Sequence, residues 1–512
     1  MFLFETILLL LFGATILSLL AQRVNIPYPT LLALGGTALV FVPGVPEIDL
    51  HSDLVLALFV APILLDAAFD ASWRDLKHHW RPVFSLVFVA VGITTAAVAI
   101  IARKLFPDIP WAAAIALGAL LAPPDAIAAL AVLRHVNPPH HIRKILEGES
   151  LLNDASSLLI YKFAVGAVAT GSFSMVDAVP TFVVVIAASI VLGWLLAYPV
   201  VQLTIRIKDR SVSVILQFVT TFGIWLLAEE LGLSAVITIV VFGLTAARHT
   251  GLSAHMRVPA FAFWEIATFV LNVLAFTLIG LQLAPILKEL PVPERLDMLL
   301  AALIILAVVM FVRLGWLMIY TMLKWNGDSA QAGDGSTFGP AMRLKSGLVI
   351  GWSGMRGIVT LAAAMALPDD FPYHDWIQLT AFVVALGTLV LQGLTLGPLV
   401  RFLRLPADTM ILNELKLARS TALQAAITEL EADGSPAAAR LISEYQEALN
   451  KAADGFDPYD NPTHNLRQRV VPASRKAIDE LRTAGTIGDD AYRMIEEELD
   501  LQELSSSSPH TS

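Results

Sequence analysis

Long apolar runs return repeatedly between Phe2 and Leu403, each about 17 to 25 residues, the length a helix needs to cross a hydrocarbon layer about 30 Å thick. Runs of this kind leave little choice of backbone. In lipid every N–H and C=O must be satisfied inside the protein, so only helices or closed barrels can span, and unbroken runs without period-two alternation read as helices. With 56% hydrophobic and 15% charged residues over 512 positions, and a mean hydropathy of +0.70, a soluble globular fold is excluded. The chain is expected to be an all-α polytopic membrane protein.

About thirteen spans can be placed, near 3–20, 28–43, 54–71, 82–102, 111–133, 144–168, 177–205, 212–230, 232–247, 259–284, 297–323, 342–367 and 376–403. The first lacks a basic leader and a small-residue cleavage site and is read as a retained helix. Alternate connections carry the basic residues: Arg23; Arg74, Lys77 and Arg81; Arg134, Arg143 and Lys144; Arg206, Lys208 and Arg210; Arg248 and Arg257; Lys324, Arg343 and Lys345; Arg401 and Arg404. The opposite connections hold only Arg103, Lys104, Lys288 and Arg295. By the positive-inside rule the C-terminus is cytoplasmic, and an odd span count then puts the N-terminus outside.

After Leu405 the composition turns polar, so residues 1–405 read as a membrane domain and 406–512 as an acidic cytoplasmic tail. Nearly all of the formal charge of −10 resides in that tail, which argues against a nucleic-acid partner. Gly434-Ser435-Pro436, the run Asp454 to Pro462 and the stretch Gly485 to Gly488 divide it into about three helices. Ser505 to Ser512 reads as disordered and the loop Asn326 to Gly339 as flexible. The chain has no cysteine, which removes disulfides and thiolate chemistry together.

The chemistry lies in the spans, where an ionisable group costs about 2.5 kcal/mol or more near the centre and therefore marks function or a partner. The sixth span reads GESLLNDASSLLIYKF, with Glu149, Asn153, Asp154 and Lys162. Glu149 and Asn153 share a helix face, so the amide is expected to reach toward that carboxylate. Asp154 points about 100° away and is expected to face a cavity. The fifth span contains Pro123-Pro124-Asp125, and tandem proline should unwind it there. Freed carbonyls and half-helix N-termini at such a break suit a transporter, and Asp125 supplies the negative charge they favour. The span GLVIGWSGMRGIVTLAAAMALP is a second disturbed segment, with Gly347, Gly351 and Gly354 on one face and Arg356 in mid-span. Arg356 has no acid beside it in sequence, and Glu149 is its expected partner. Lys162 is expected to snorkel to the outer interface. Arg313, in the eleventh span, has no partner that the sequence identifies.

Taken jointly and in order, APPDAIA at 122–128, GESLLND at 148–154, FWEIATFVLNVLAFTLIG at 263–280 and GWSGMRG at 351–357 resemble the NhaP/NHE-like sodium/proton branch of the monovalent cation:proton antiporters. The resemblance covers residues 1–405. It implies a homodimer of thirteen-span protomers with an inverted-repeat fold and two crossed unwound helices, exchanging a cation for a proton by alternating access in the plasma (inner) membrane. It also implies pH and sodium homeostasis as the role. By motif, Asp154 matches the shared site for Na+ and H+, Asn153 the mark of the electroneutral branch, Ser150 a coordinating hydroxyl and Asp125 the acid of the unwound span. Glu149 and Arg356 match its structural ion pair, and Asp66, where the family often has Glu, an ion-passage position. Asn272, between Phe269 and Phe276, falls in a stripe that reads as packing.

Two departures stand out. Pro124-Asp125-Ala126 replaces a common Thr-Asp-Pro, which leaves the preference among Na+, Li+ and K+ open, and Asp66 is a methylene shorter than Glu. A sodium-coupled organic-anion symporter and a cation channel remain as alternatives that could use the same carboxylates. An enzyme is not expected: H-E-x-x-H and G-x-S-x-G are absent, and pairs such as His78-His79 and His140-His141 read as solvated cytoplasmic surface. No cofactor is expected. The partners are the transported ions and membrane lipid.

Overall fold

The computed structural model describes residues 2–500 except 25, 43–54, 134, 135, 137, 172–174, 250–253, 324–339, 406–409, 434, 454–461, 485–491, 493, 494 and 497. The expected flexible loop and the expected disordered end lie outside the described residues. No strand occurs among the described residues.

The membrane part begins with α1 (Phe2–Val24) and α2 (Tyr28–Leu39), then a π-helical turn Leu56–Val60 leads into α3 (Ala61–Asp70). Short helices α4 (Trp73–His78) and α5 (Trp80–Phe84) precede a second π-helical turn, Ser85–Ala90, and α6 (Val91–Leu105). The fifth apolar segment is two pieces, α7 (Trp111–Leu121) and α8 (Ala126–Leu133). Five helices follow: α9 (His140–Thr170), α10 (Met175–Arg206), α11 (Arg210–Glu230), α12 (Ala235–His249) and α13 (Ala254–Leu281). After α14 (Leu283–Glu289) and α15 (Arg295–Leu323), the twelfth segment is also two pieces, α16 (Pro340–Trp352) and α17 (Ile358–Met365), before α18 (His374–Leu403).

Every expected apolar segment therefore coincides with a helix or an interrupted pair. Among the described residues seven helices are long and apolar enough to cross a membrane, accompanied by shorter apolar helices at Leu8–Val24, Trp111–Leu121 and Ala235–His249.

Two large buried clusters organise most of these helices, with a smaller third around Phe59 and Ala275. The larger gathers α2, α6, α7, α8, α15, α17 and α18 around residues such as Leu117, Val309 and Trp376. The second is built from α3, α10, α11 and α12 around Leu65, Trp225 and Val240. Helix α9 belongs to both: Ile145, Tyr161 and Ala164 pack into the first, Leu151 and Ala155 into the second. Its place between two apolar bundles explains how so polar a helix is tolerated. Elsewhere small residues permit close backbone approach, as where Gly36 of α2 faces the Thr277 carbonyl of α13 and Gly280 faces that of Ala33.

Residues 409–512 form a separate compact unit from residues 1–408. Within it, α19 (Met410–Glu431) packs on α20 (Pro436–Ala453), and α21 (Pro462–Thr483) carries an internal Pro472.

Candidate functional site

The two interrupted segments meet. Pro123 and Pro124 cannot donate to a helical ladder, so α7 stops at Leu121 and α8 restarts at Ala126. In the facing segment the helix stops at Trp352 and restarts at Ile358, with Gly354 and Gly357 in the extended stretch between. The Asp125 amide donates to the Met355 carbonyl at 2.6 Å, joining one break to the other. The Asp125 carboxylate lies directly against Gly357, close enough that any side chain there would collide with it. It therefore stands at the N-terminal ends of both α8 and α17, where unpaired amides favour an anion.

Helix α9 is stapled across this crossing by side chains on one face. Asn153 Nδ2 donates to the Pro124 carbonyl at 2.7 Å, Ser157 Oγ to Ala119 at 2.8 Å and Tyr161 OH to Ala363 at 2.7 Å. These donors recur every four residues, so one stripe of α9 grips α7, the first break and α17. Ser156 Oγ donates to the Val87 carbonyl at 2.8 Å, in the π-helical turn whose wide register leaves a carbonyl available. The Asn153 amide thus serves Pro124 instead of reaching back to Glu149, because the carbonyl outside both half-helices is the more demanding acceptor.

Glu149 is buried, 2% exposed, and its carboxylate is held by Arg313 of α15 in a two-bonded fork, Nη1 to Oε1 at 2.5 Å and Nη2 to Oε2 at 2.8 Å. This corrects the pairing expected from sequence, Glu149 with Arg356. Arg356 spends its donors on the backbone: Nε to the Leu121 carbonyl at 3.0 Å, Nη2 to Ala122 at 3.3 Å, and Nη1 to Gly354. Its amide donates to Thr388 Oγ1 at 2.9 Å. The physical reason is local. The breaks leave carbonyls without helical donors beside Arg356, whereas Arg313 sits in an intact helix whose carbonyls are already satisfied and so turns to a carboxylate. Gly354 separates the two arginines; a Cβ there would lie 2.5 Å from Arg313 Cδ and 3.1 Å from Arg356 Nη1.

Asp154 is half-buried on α9 next to this assembly, and Asp125 is near enough for the two charges to repel. Its own amide is capped by Asn153 Oδ1 at 2.7 Å, while its carboxylate has no hydrogen bond or ion pair among the described residues. Ser150, one helical turn earlier, is half-buried on the same face. The sequence profile of the family described as "Sodium/hydrogen exchanger, transmembrane" matches residues 7–402.

The chain belongs to the sodium/hydrogen exchanger family. It is therefore an integral membrane transporter of a family that moves monovalent cations and protons, and not a member of an enzyme family. Among its relatives, an uncharacterized Na(+)/H(+) exchanger of Mycobacterium tuberculosis is 32% identical over 95% of this chain and 93% of that protein. The sodium, potassium, lithium and rubidium/H(+) antiporter of Bacillus subtilis is 28% identical over 94% of this chain and 75% of its own length. The low-affinity Na(+)/H(+) antiporter NhaS1 of Synechocystis is 31% identical over 80% and 76%. The fold is that of the sodium proton antiporter MjNhaP1 of Methanocaldococcus jannaschii, with a TM-score of 0.61 at 19% identity, covering 79% of this chain and 99% of that one.

Other sequence-marked residues of the exchanger stand further out. Asp66 is half-buried on α3 of the second bundle, and Lys162 is exposed on α9. Phe269 and Phe276 pack around Tyr28, with ring centroids 5.7 and 6.3 Å away. His79 and His141 are buried, 6% and 7% exposed, correcting their reading as solvated surface; His141 Nε2 lies 3.1 Å from Ser346 Oγ of α16. Sequence reasoning missed Arg313, Ser157, Tyr161 and Thr388 as parts of the assembly. The spacing of Asn153, Ser157 and Tyr161 by fours was the available signal; for Arg313 there was only its charge in an apolar span.

Proposed function

We propose that the chain exchanges Na+, with Li+ and K+ as further candidates, for H+ by alternating access, one ion for one proton, with Asp154 as the shared site. The observation that supports this most directly is the imbalance of partners. Arg313 is committed to Glu149 and Arg356 to freed carbonyls, while the Asp154 carboxylate is left with a like charge for company.

The charges gathered at the crossing make the coupling intelligible. Glu149 and Arg313 cancel, Arg356 offsets Asp125, and an ionised Asp154 leaves one net negative charge. Binding either one proton or one monovalent cation neutralises it. An unneutralised charge is costly to carry through a low-dielectric barrier, so only the loaded carrier crosses and the two fluxes run in opposite directions. That balance is the basis for an electroneutral exchange. Asn153 holds Asp154 in register with the break, Ser150 offers a neutral oxygen ligand from the preceding turn, Asp125 shapes the local field, and Asp66 lies on the passage.

In this reading residues 1–405 form the exchanger and 406–512 a cytoplasmic tail. The protomer crosses the plasma membrane about thirteen times with its N-terminus outside, works as a homodimer, and serves pH and sodium homeostasis. The test is cation-induced collapse of a preset pH gradient in proteoliposomes, adding Na+, Li+ and K+ in turn to wild type and to Asp154→Asn at matched protein. Collapse by a cation in wild type alone supports the exchange and names the cation. Current without proton movement would favour a channel, and failure of every cation in well-reconstituted protein would overturn the proposal. Transport should also fall in acid, where protons hold the site; a rate unchanged between acid and neutral pH would contradict direct competition.

A further inference from the structure

Lys162 takes no part in the charges gathered at the crossing. It lies within the long apolar helix His140–Thr170, it is exposed, and it has no hydrogen bond or ion pair among the described residues. A lysine so placed faces either lipid or a water-filled cleft, and the packing of α9 favours the second.

Leu151, Ala155 and Lys162 fall on one stripe of α9, Lys162 lying within about 20° of each of the other two at 100° per residue. Leu151 and Ala155 are buried against the second bundle. Among the described residues Leu158 is the last of α9 packed on that bundle's buried cluster, whereas Tyr161, Ala164, Val165 and Val168 continue along the first. The stripe that the second bundle's buried cluster covers at Ala155 is thus exposed at Lys162. Helix α10 of the second bundle still flanks α9 at that level, since the Phe163 and Phe182 rings are 6.5 Å apart, so Lys162 is exposed beside a neighbouring helix. Lys162 stands eight residues past Asp154, about 12 Å along the axis at 1.5 Å per residue, toward the end of α9 that the basic loops assign to the outside.

We propose that Lys162 sets the cation affinity of the outer mouth of the exchange path: its ammonium, standing in the cleft above Asp154, weakens capture of a monovalent cation from the outside and favours its release there. This rests on Asp154 as the exchange site. Two unit charges about 12 Å apart change binding by about twofold in water and about tenfold at the dielectric of a protein surface. Because the Debye length is about 8 Å at physiological salt and about 30 Å at 0.01 M, the effect is large only at low ionic strength.

The chain has no cysteine, so Lys162→Cys provides a single thiol in the full-length protein. In proteoliposomes, a membrane-impermeant thiosulfonate added from the outer face should label it. Reaction with a lipid-soluble maleimide but not with the impermeant reagent would place the side chain in lipid and overturn the proposal. At low ionic strength, with cation on the outer face, Lys162→Gln and Lys162→Cys should show an apparent KM about two- to tenfold below wild type. A positively charged thiosulfonate adduct should restore the wild-type value, a negatively charged one should lower it further, and Lys162→Arg should match wild type. An apparent KM indifferent to the adduct's charge, or altered equally from both faces, would refute the assignment. If wild type itself moves no protons against any cation, the exchange reading is what fails, and the labelling result still reports on the cleft.

Discussion

The two broken segments solve the same problem with opposite materials. The first, between α7 and α8, is broken by proline and carries an acid; the second, between α16 and α17, is broken around glycine and carries a base. Each then serves the other. Asp125 of the first donates its amide to Met355 of the second and lays its carboxylate on Gly357, while Arg356 of the second donates to Leu121 and Ala122 of the first. Proline makes a break by removing donors, so its carbonyls need help from outside, and the arginine of the other break supplies it. Glycine makes a break that any close neighbour can enter. The acid and the base at the crossing therefore brace the breaks, and the ion pair that anchors α9 is made elsewhere, by Glu149 and Arg313.

That distinction between a paired arginine and a bracing arginine can be broken experimentally. Arg313→Ala strands a buried carboxylate and should destabilise the protein by about 3–5 kcal/mol, the cost usual for breaking a buried pair, seen as a lower melting temperature by tryptophan fluorescence in detergent. Glu149→Gln combined with Arg313→Gln should recover much of the loss. The same Glu149→Gln should not rescue Arg356→Gln. Rescue of Arg356 and not of Arg313 would reverse the assignment.

The glycine break predicts a smaller effect of a different kind. Gly357→Ala drives a methyl group into the Asp125 carboxylate; overpacking costs about 1–3 kcal/mol, and here the flexible carboxylate yields first. The expected outcome is a folded protein with impaired exchange, checked by gel filtration alongside gradient collapse. Wild-type exchange would show that the contact between the breaks is incidental. The proline break is probed by Asn153→Ala, which leaves the Pro124 carbonyl without its donor. A loss toward the lower end of about 1–3 kcal/mol is expected, and an unchanged melting temperature would mean that solvent satisfies the carbonyl.

The same contrast explains what could be read in the sequence. The helical segments, the break at Pro123-Pro124 and the need of Glu149, Asp125 and Arg356 for polar neighbours were legible because each violates a local rule: apolar length, missing donors, charge in an apolar segment. The partner of Glu149 was not. Arg356 and Arg313 are both lone cations in apolar spans, and choosing between them required knowing which carbonyls the crossing leaves free, a property of two segments more than two hundred residues apart. His79 and His141 were misread for the related reason that adjacent histidines in a basic loop look solvated until the helices that cover them are placed.

His79 gives the smallest of the tests, because a single group is involved and it lies outside the exchange path. It terminates α4, its Nδ1–H donates to the Asp75 carbonyl at 3.0 Å, and its ring meets that of His78 at 5.1 Å. Burial, more than the neighbouring positive charge of His78 and His140, holds its pKa below the ordinary 6.5, and the Asp75 carbonyl and carboxylate oppose the shift only in part. The unfolded chain, whose imidazole titrates near 6.5, then binds more protons than the folded one as the pH falls past that value. The stability this neutral imidazole contributes is therefore fully present above pH 6.5 and declines on acidification until the folded state also protonates. His79→Gln keeps a hydrogen-bond donor and cannot titrate, so the difference in melting temperature between variant and wild type should shift in the variant's favour as pH is lowered from 7.5 to about 5. A difference that stays constant across that range would mean that His79 is not held neutral by its burial, and that the loop between α3 and α6 is as open as its basic composition alone suggests.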